Sequence, residues 1–386
     1  MKTKTALPVL FLTMFFVMVG FGIIIPVLPF YAEELGATPT ELGWIMAAYS
    51  IMQLIFAPIW GKLSDKVGRK PIMLIGIFGL SISFFLTAIS TEFWMLFAAR
   101  VIGGLLSAAN LPTAMAYVAD ITTPENRSKG MGMIGAAVGL GFIFGPAIGG
   151  VFSKISLQYP FIVAGVSSMI TFFLVLFILK ESLPKQKRTK KNSSSPSQWI
   201  HFTGVNRNLY IIQFFVSFTL AGLETTFAYF AYEKAGLDST HLGYIFMIMG
   251  LAGAIVQGGL MGVLAKKFGE QKIIQGGIIV SGIGFALILL TTNFATAAIF
   301  ISIFGIGNGV IRPAISTILT RYSDGDHGSV TGLLSSFDSL GRIAGPPVGG
   351  LLFSYSIGLP FIAGFIISIV ALLIFEGYRI KVKQTV

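Results

Sequence analysis

The sequence predicts an all-α integral membrane protein: twelve transmembrane helices arranged as two pseudo-symmetric six-helix bundles. Three observations predict it. Of the 386 residues, 54% are hydrophobic and only 11% are charged. An ordinary soluble domain has roughly 25% charged residues. So apolar a chain cannot clothe a water-facing surface, whereas a bilayer solvates an apolar exterior. Apolar runs of about 20 residues, the length that crosses the hydrocarbon core, recur along the whole chain. Finally, a set of sequence markers returns after about 200 residues.

In order, the predicted spans cover 6–30, 42–61, 71–90, 93–118, 129–152 and 158–179, then 208–232, 241–264, 273–292, 295–319, 329–353 and 359–377. These runs are too long for barrel strands and lack period-two alternation. The first is longer than a signal-peptide core and no small-residue cleavage site follows it, so it reads as a retained span. Between the sixth and seventh spans lies a charged stretch, Lys-Gln-Lys-Arg-Thr-Lys-Lys followed by Asn-Ser-Ser-Ser-Pro-Ser. It has nothing to bury and reads as a linker. The expected organisation is an N-terminal bundle over 1–180, a cytoplasmic basic and Ser-rich linker over 181–207, and a C-terminal bundle over 208–386.

Basic residues set the orientation. With both termini in the cytoplasm, 22 of the 27 Lys and Arg fall on the inner side, Lys154 and Lys234 fall outside, and Arg100, Arg312 and Arg342 lie within spans. The net charge of +11 is thereby explained by topology and lipid headgroups, with no nucleic acid as partner. The absence of Cys excludes thiolate metal sites and thiol catalysis. His201, His241 and His327 are scattered and suggest no metal site. No phosphate-cradling glycine loop is present, so ATP is not the expected energy source.

The halves repeat. Gly61-x-Leu63-x-x-Lys66-x-Gly68 returns as Gly262-x-Leu264-x-x-Lys267-x-Gly269, and Pro112 as Pro313. Gly141-x-x-x-Gly145-Pro146-x-x-Gly149-Gly150 returns as Gly341-x-x-x-Gly345-Pro346-x-x-Gly349-Gly350, and Pro160-Phe161 as Pro360-Phe361. Two parallel repeats around a midplane site are a transporter architecture.

On these residues the chain resembles the major facilitator superfamily over nearly its full length, and within it the bacterial drug:proton antiporters. The 2–3 loop, Gly61-Lys-Leu-Ser-Asp65-Lys-Val-Gly68-Arg69-Lys70, is similar to the superfamily's signature loop. The resemblance implies a cytoplasmic gate built from Gly61, Asp65, Gly68, Arg69 and Asp120. Asp65 is expected to face the positive N-terminus of a neighbouring helix, and Arg69 to pair with Asp120. In the second copy Lys266 stands where the Asp should be, so a weaker latch is expected there. Gly141, Gly145, Pro146, Gly149 and Gly150 resemble the antiporter motif; the bland reading is small-residue helix packing. The family places proton coupling at Arg100 of the fourth span; the alternative is a structural Arg bonded to backbone, since no acid on the first span can pair with it.

Two acids sit inside predicted spans, Glu224 and Asp338. Proton coupling needs a group that is charged and neutral in turn, and a low-dielectric cavity disfavours the charged form. Glu224 precedes Phe227, Tyr229 and Phe230, so one or two rings are expected beside it, a setting suited to lipophilic cations. Asp338 lies one turn before Arg342, and Arg312 on the neighbouring span is counted at similar depth. Together Glu224, Asp338, Arg100, Arg312 and Arg342 form the expected proton-coupling set. Phe21, Gln53, Asn110, Phe142, Gln213, Glu224, Phe227 and Asn308 are the expected substrate-binding set; for the phenylalanines, packing or lipid contact is the plain alternative. Similar exporters carry an acid where Gly309 stands here and an uncharged polar residue in place of Arg342, so their preference for strongly cationic drugs does not transfer directly.

The expectation is proton-coupled efflux of small amphipathic compounds by alternating access, in a bacterial plasma membrane, with lipid, protons and substrate as partners. No cofactor is expected beyond the proton gradient; the chain is no enzyme, and the family implies a monomer. Two rivals stay open: a same-fold exporter of one metabolite, such as a sugar or a siderophore-like compound, and a lipid-moving or receptor-like membrane protein without proton coupling.

Overall fold

The computed structural model describes residues 3–184, 202, 206–321 and 327–385. The described residues form twelve long helices: α1 (Thr3–Glu34), α2 (Pro39–Val67), α3 (Arg69–Ala88), α4 (Phe93–Ile121), α5 (Pro124–Phe152), α6 (Tyr159–Ile178), α7 (Arg207–Ala235), α8 (Ser239–Phe268), α9 (Glu270–Ile288), α10 (Phe294–Arg321), α11 (His327–Tyr355) and α12 (Leu359–Thr385). Eleven are long and apolar enough to cross a membrane. The other, α11, mixes Asp338 and Arg342 with serines, glycines and prolines. Most of the predicted linker, 185–201 and 203–205, lies outside the described residues.

The chain groups into two units. One comprises Met1–Ala37, Ala48–Asn192 and Ser239–Met247; the other comprises Thr38–Ala47, Ser193–Asp238 and Ile248–Val386. Each unit thus takes in the start of one helix from the other half of the sequence. Glycine makes this local packing feasible. In the first unit a Cβ on Gly150 would lie 2.9 Å from Ser239 O, and Thr240 Oγ1 donates to Gly150 O at 2.9 Å. In the second, a Cβ on Gly350 would lie 2.9 Å from Thr40 Cα.

The repeated glycine motif packs helix on helix inside each unit. A Cβ on Gly145 of α5 would lie 2.6 Å from Val19 O of α1, and one on Gly341 of α11 would lie 2.6 Å from Phe214 O of α7. Side chains would hold these backbones apart.

Two prolines show how the repeats diverge. Pro112 has no N–H for the Ala108 carbonyl, and α4 is interrupted there, between Phe93–Ser107 and Asn110–Ile121. Pro313 deprives the Gly309 carbonyl in the same way, yet α10 runs unbroken from Phe294 to Arg321. That carbonyl accepts a hydrogen bond from Gln257 Nε2 at 3.0 Å. Gln257 lies in a π-helical turn, Val256–Leu260, within α8. The turn has a cause in the sequence. Helix α2 has 29 residues and α8 has 30. Gly43 and Gly243 occupy matching places near their starts, each facing the equivalent proline, Pro346 or Pro146, whereas Gly61 and Gly262 are one residue further apart. The wide turn absorbs the extra residue.

Candidate functional site

The second unit gathers four charges and two polar side chains from three helices. Gln213, Ser217 and Glu224 recur at four and seven residues along α7, which places them on one stripe. Asp338 and Arg342 stand one turn apart on α11, and Arg312 comes from α10. Asp338 Oδ1 accepts hydrogen bonds from Ser217 Oγ at 2.5 Å and from Gln213 Nε2 at 3.0 Å. Its Oδ2 lies 3.5 Å from Arg342 Nε and 3.6 Å from Arg312 Nη1. Glu224 is held less firmly: its Oε2 lies 3.9 Å from Arg342 Nη1, beyond hydrogen-bond length. Both acids are thus near the same guanidinium, but Asp338 has four partners and Glu224 one.

Such a cluster is costly to insert. A single charge at mid-membrane costs at least ~2.5–3.5 kcal/mol on insertion scales. Two acids facing two guanidiniums sum to zero formal charge, which reduces that penalty, and the Ser217 and Gln213 donors satisfy further lone pairs.

The aromatic residues after Glu224 pack into the interior of the unit. Phe227 and Phe230 are fully buried. The Phe230 ring packs on Phe361 at 4.6 Å and that of Tyr229 on Phe353 at 5.8 Å. They belong to the core of the unit, and the Glu224 carboxylate faces the Arg342 guanidinium. Asn308 also turns into packing. It is buried, and its Nδ2 donates to Val216 O of α7 at 3.3 Å. The cleft it borders with Thr219, Ser281 and Ser368 holds about 20 Å³, room for one water and far too small for a drug.

In the first unit the centre is a residue that sequence reasoning missed, Tyr49 of α2. The Arg100 guanidinium lies 4.7 Å from the centroid of its ring. Phe21 meets the same ring edge-on at 5.1 Å. Gln53 Nε2 donates to the Tyr49 hydroxyl at 3.2 Å, and that hydroxyl is hydrogen-bonded to Ser107. Three predicted residues, Phe21, Gln53 and Arg100, therefore meet on one unpredicted phenol. Its sequence signal was present: Tyr49 stands four residues before Gln53, on the same helix face. Arg100 is buried with its Nε unpartnered. Asn110 is buried against Gly76 of α3 with both amide atoms unpartnered, and Phe142 is half-buried. A separate cavity of about 630 Å³ is lined by Leu7, Pro8, Ile121, Asn126, Lys129 and Met133, among others; none of the predicted substrate residues lines it.

At the signature loop, Arg69 is the hub. Its Nη1 lies 2.6 Å from Asp65 Oδ1 and its Nε 3.1 Å from Asp120 Oδ2. Its Nη1 also donates to Ser64 Oγ at 2.7 Å. At the N-terminus of α3 stands an acid that sequence reasoning missed, Glu181. The backbone N–H groups of Arg69 and Lys70, opening α3, donate to Glu181 at 2.8 and 3.1 Å. The second copy is not simply weakened. There Arg321 Nη2 lies 2.5 Å from Glu270 Oε1, at the start of α9 and the end of α10. The corresponding places in the first copy hold Arg69 and Asp120, so the pair is kept with its charges exchanged.

A family model described as Major Facilitator Superfamily matches residues 10–271 and 236–384. The chain is 32% identical over 374 residues to Multidrug resistance protein 2 of Bacillus subtilis (strain 168), covering 95% of this chain and 93% of that protein. It is 30% identical over 383 residues to Quinolone resistance protein NorA of Staphylococcus aureus (strain COL), covering 97% and 98%. Among solved structures it is similar to a bacterial homologue of the human lysosomal transporter Spinster, in an inward-facing and unoccupied conformation. That match has a TM-score of 0.82 and 16% identity, covering 98% of this chain and 97% of the other.

Proposed function

The chain belongs to the major facilitator superfamily, and from that premise we propose that it is a multidrug:proton antiporter, exporting small amphipathic compounds by alternating access. The observation that carries this reading is the cluster of Glu224, Arg342, Asp338 and Arg312 within apolar helices. Glu224 is the acid that exchanges the proton. One guanidinium at 3.9 Å holds it, so neutralising it breaks little else. Asp338, tied by four contacts, stays ionised and positions both arginines.

In the proposed cycle, cargo enters from the cytoplasm or inner leaflet and binds beside Glu224. The signature loop latches as the protein opens outward. Protons from outside neutralise Glu224 and displace the cargo, and return inward releases the proton. The gradient is the energy source, with no cofactor. The chain works as a monomer in a bacterial plasma membrane with both termini in the cytoplasm, as its distribution of Lys and Arg favours.

The test is a panel of dyes and quinolones in proteoliposomes with an imposed pH gradient. Export is expected, and it should stop when the gradient is collapsed. Glu224→Gln should lower cation export about tenfold, a change of about 1.4 kcal/mol, and neutral compounds much less. Transport that continues unchanged without a gradient overturns antiport. No export of any panel member favours the exporter of a single metabolite.

A further inference from the structure

The cluster is uneven in what it shows to open space. The Glu224 and Asp338 side chains are each 14% exposed, while Arg342 is 38% and Arg312 49% exposed. The acids therefore lie behind the guanidiniums. Each guanidinium carries five N–H donors in a planar fork. Among the described residues Arg312 makes one ion-pair contact, at 3.6 Å, and Arg342 divides itself between two acids at 3.5 and 3.9 Å. Donors remain on both, and both side chains reach open space. The positive charge they carry there attracts an anionic group.

We propose that Arg312 and Arg342 form a second recognition face, for the anionic group of an amphipathic compound, and that proton uptake on Glu224 strengthens it. The inference rests on the reading of Glu224 as the proton-exchanging acid. With both acids ionised the four groups sum to zero. One proton on Glu224 leaves the site at +1 and frees Arg342 of one competitor. By reciprocity, an anion on Arg342 favours the proton by the same factor that the proton favours the anion. A cation beside Glu224 does the reverse. The sign of coupling then follows the charge of the cargo: cations are exchanged against the proton and anions travel with it.

Other charged groups on these helices pair elsewhere or lie near the helix ends, as Lys381 and Lys383 do on α12. On α10, Arg321 pairs with Glu270. On α12, Glu376 and Arg379 pair with each other and with Gln275. Along α7, Arg207, Glu233 and Lys234 sit at the two ends of the helix. Glu224 thus answers to Arg342, Asp338 and, through Asp338, Arg312.

The experiment is equilibrium binding of two probes to the full-length purified chain in detergent, from about pH 5 to about pH 8, where buried carboxyls titrate. Tetraphenylborate and tetraphenylphosphonium share four phenyl rings and differ in the sign of their charge. Tetraphenylborate should bind about tenfold tighter at the acid end and tetraphenylphosphonium about tenfold weaker. Arg312→Gln should weaken tetraphenylborate about tenfold at acid pH while tetraphenylphosphonium binds at least as tightly as before, and Arg312→Lys should recover part of the tetraphenylborate loss. Glu224→Gln should hold tetraphenylborate at its tight limit at every pH. Tetraphenylborate binding that is unchanged in both Arg312 variants, or that weakens with acid, overturns the proposal. So does a pH response that survives Glu224→Gln. No gradient enters this measurement, so failed export with intact anion binding counts against the antiport cycle alone.

Discussion

Asp338 and Glu224 flank the same Arg342, and their different surroundings give them different work. Asp338 anchors two guanidiniums, a serine and a glutamine. Asp338→Asn should therefore lower stability more than Glu224→Gln does. The expected loss is about 2–3 kcal/mol, set below the range for a fully buried pair because both arginines reach open space. Thermal melts of the two variants in one detergent check this ranking, and equal shifts would contradict it. The charged members of this site were legible in the sequence, because an ionised side chain inside an apolar run is conspicuous. Ser217 was not, since a serine in a transmembrane helix is ordinary. Nor were the destinations of Asn110, Asn308 and Phe227: a residue's type shows that it needs packing or a partner, but not which side of the helix provides it. Glu181 was hidden by its neighbours, being one acid at the edge of a basic tract.

At the scale of the helix, a proline is harmless only where another group serves the carbonyl it abandons. In α10 that group is Gln257, reaching Gly309 from α8. Gln257→Leu should destabilise α10 by about 1 kcal/mol. Pro313→Ala restores an N–H to the helix, so in that background the Gln257→Leu loss should shrink. A double-mutant cycle read from thermal unfolding gives the coupling, and strict additivity would disconnect the two residues. The twelve spans were legible from hydropathy, including α11, whose polar residues leave it outside the eleven most apolar helices. The break in α4 and the wide turn in α8 were not, because both depend on what a neighbouring helix offers.

The whole molecule reads as a duplication whose copies have since diverged. Arg69 and Asp120 in one copy correspond to Glu270 and Arg321 in the other. Exchanging both charges keeps the attraction, so this ion pair persists although its residues do not. Asp65 is the exposed partner of Arg69, and exposed pairs contribute little to stability. Asp65→Asn should leave the melting temperature and probe binding near those of the parent while slowing export about tenfold. Full export by that variant, measured in the same proteoliposomes, removes the latch from the cycle. Helices α2 and α8 also differ in length, 29 residues against 30. Helix α8 consequently holds slack. One residue can be withdrawn from Val256–Leu260 and both ends of the helix still meet their neighbours in phase, whereas the same loss from α2 turns every side chain beyond it by about 100°.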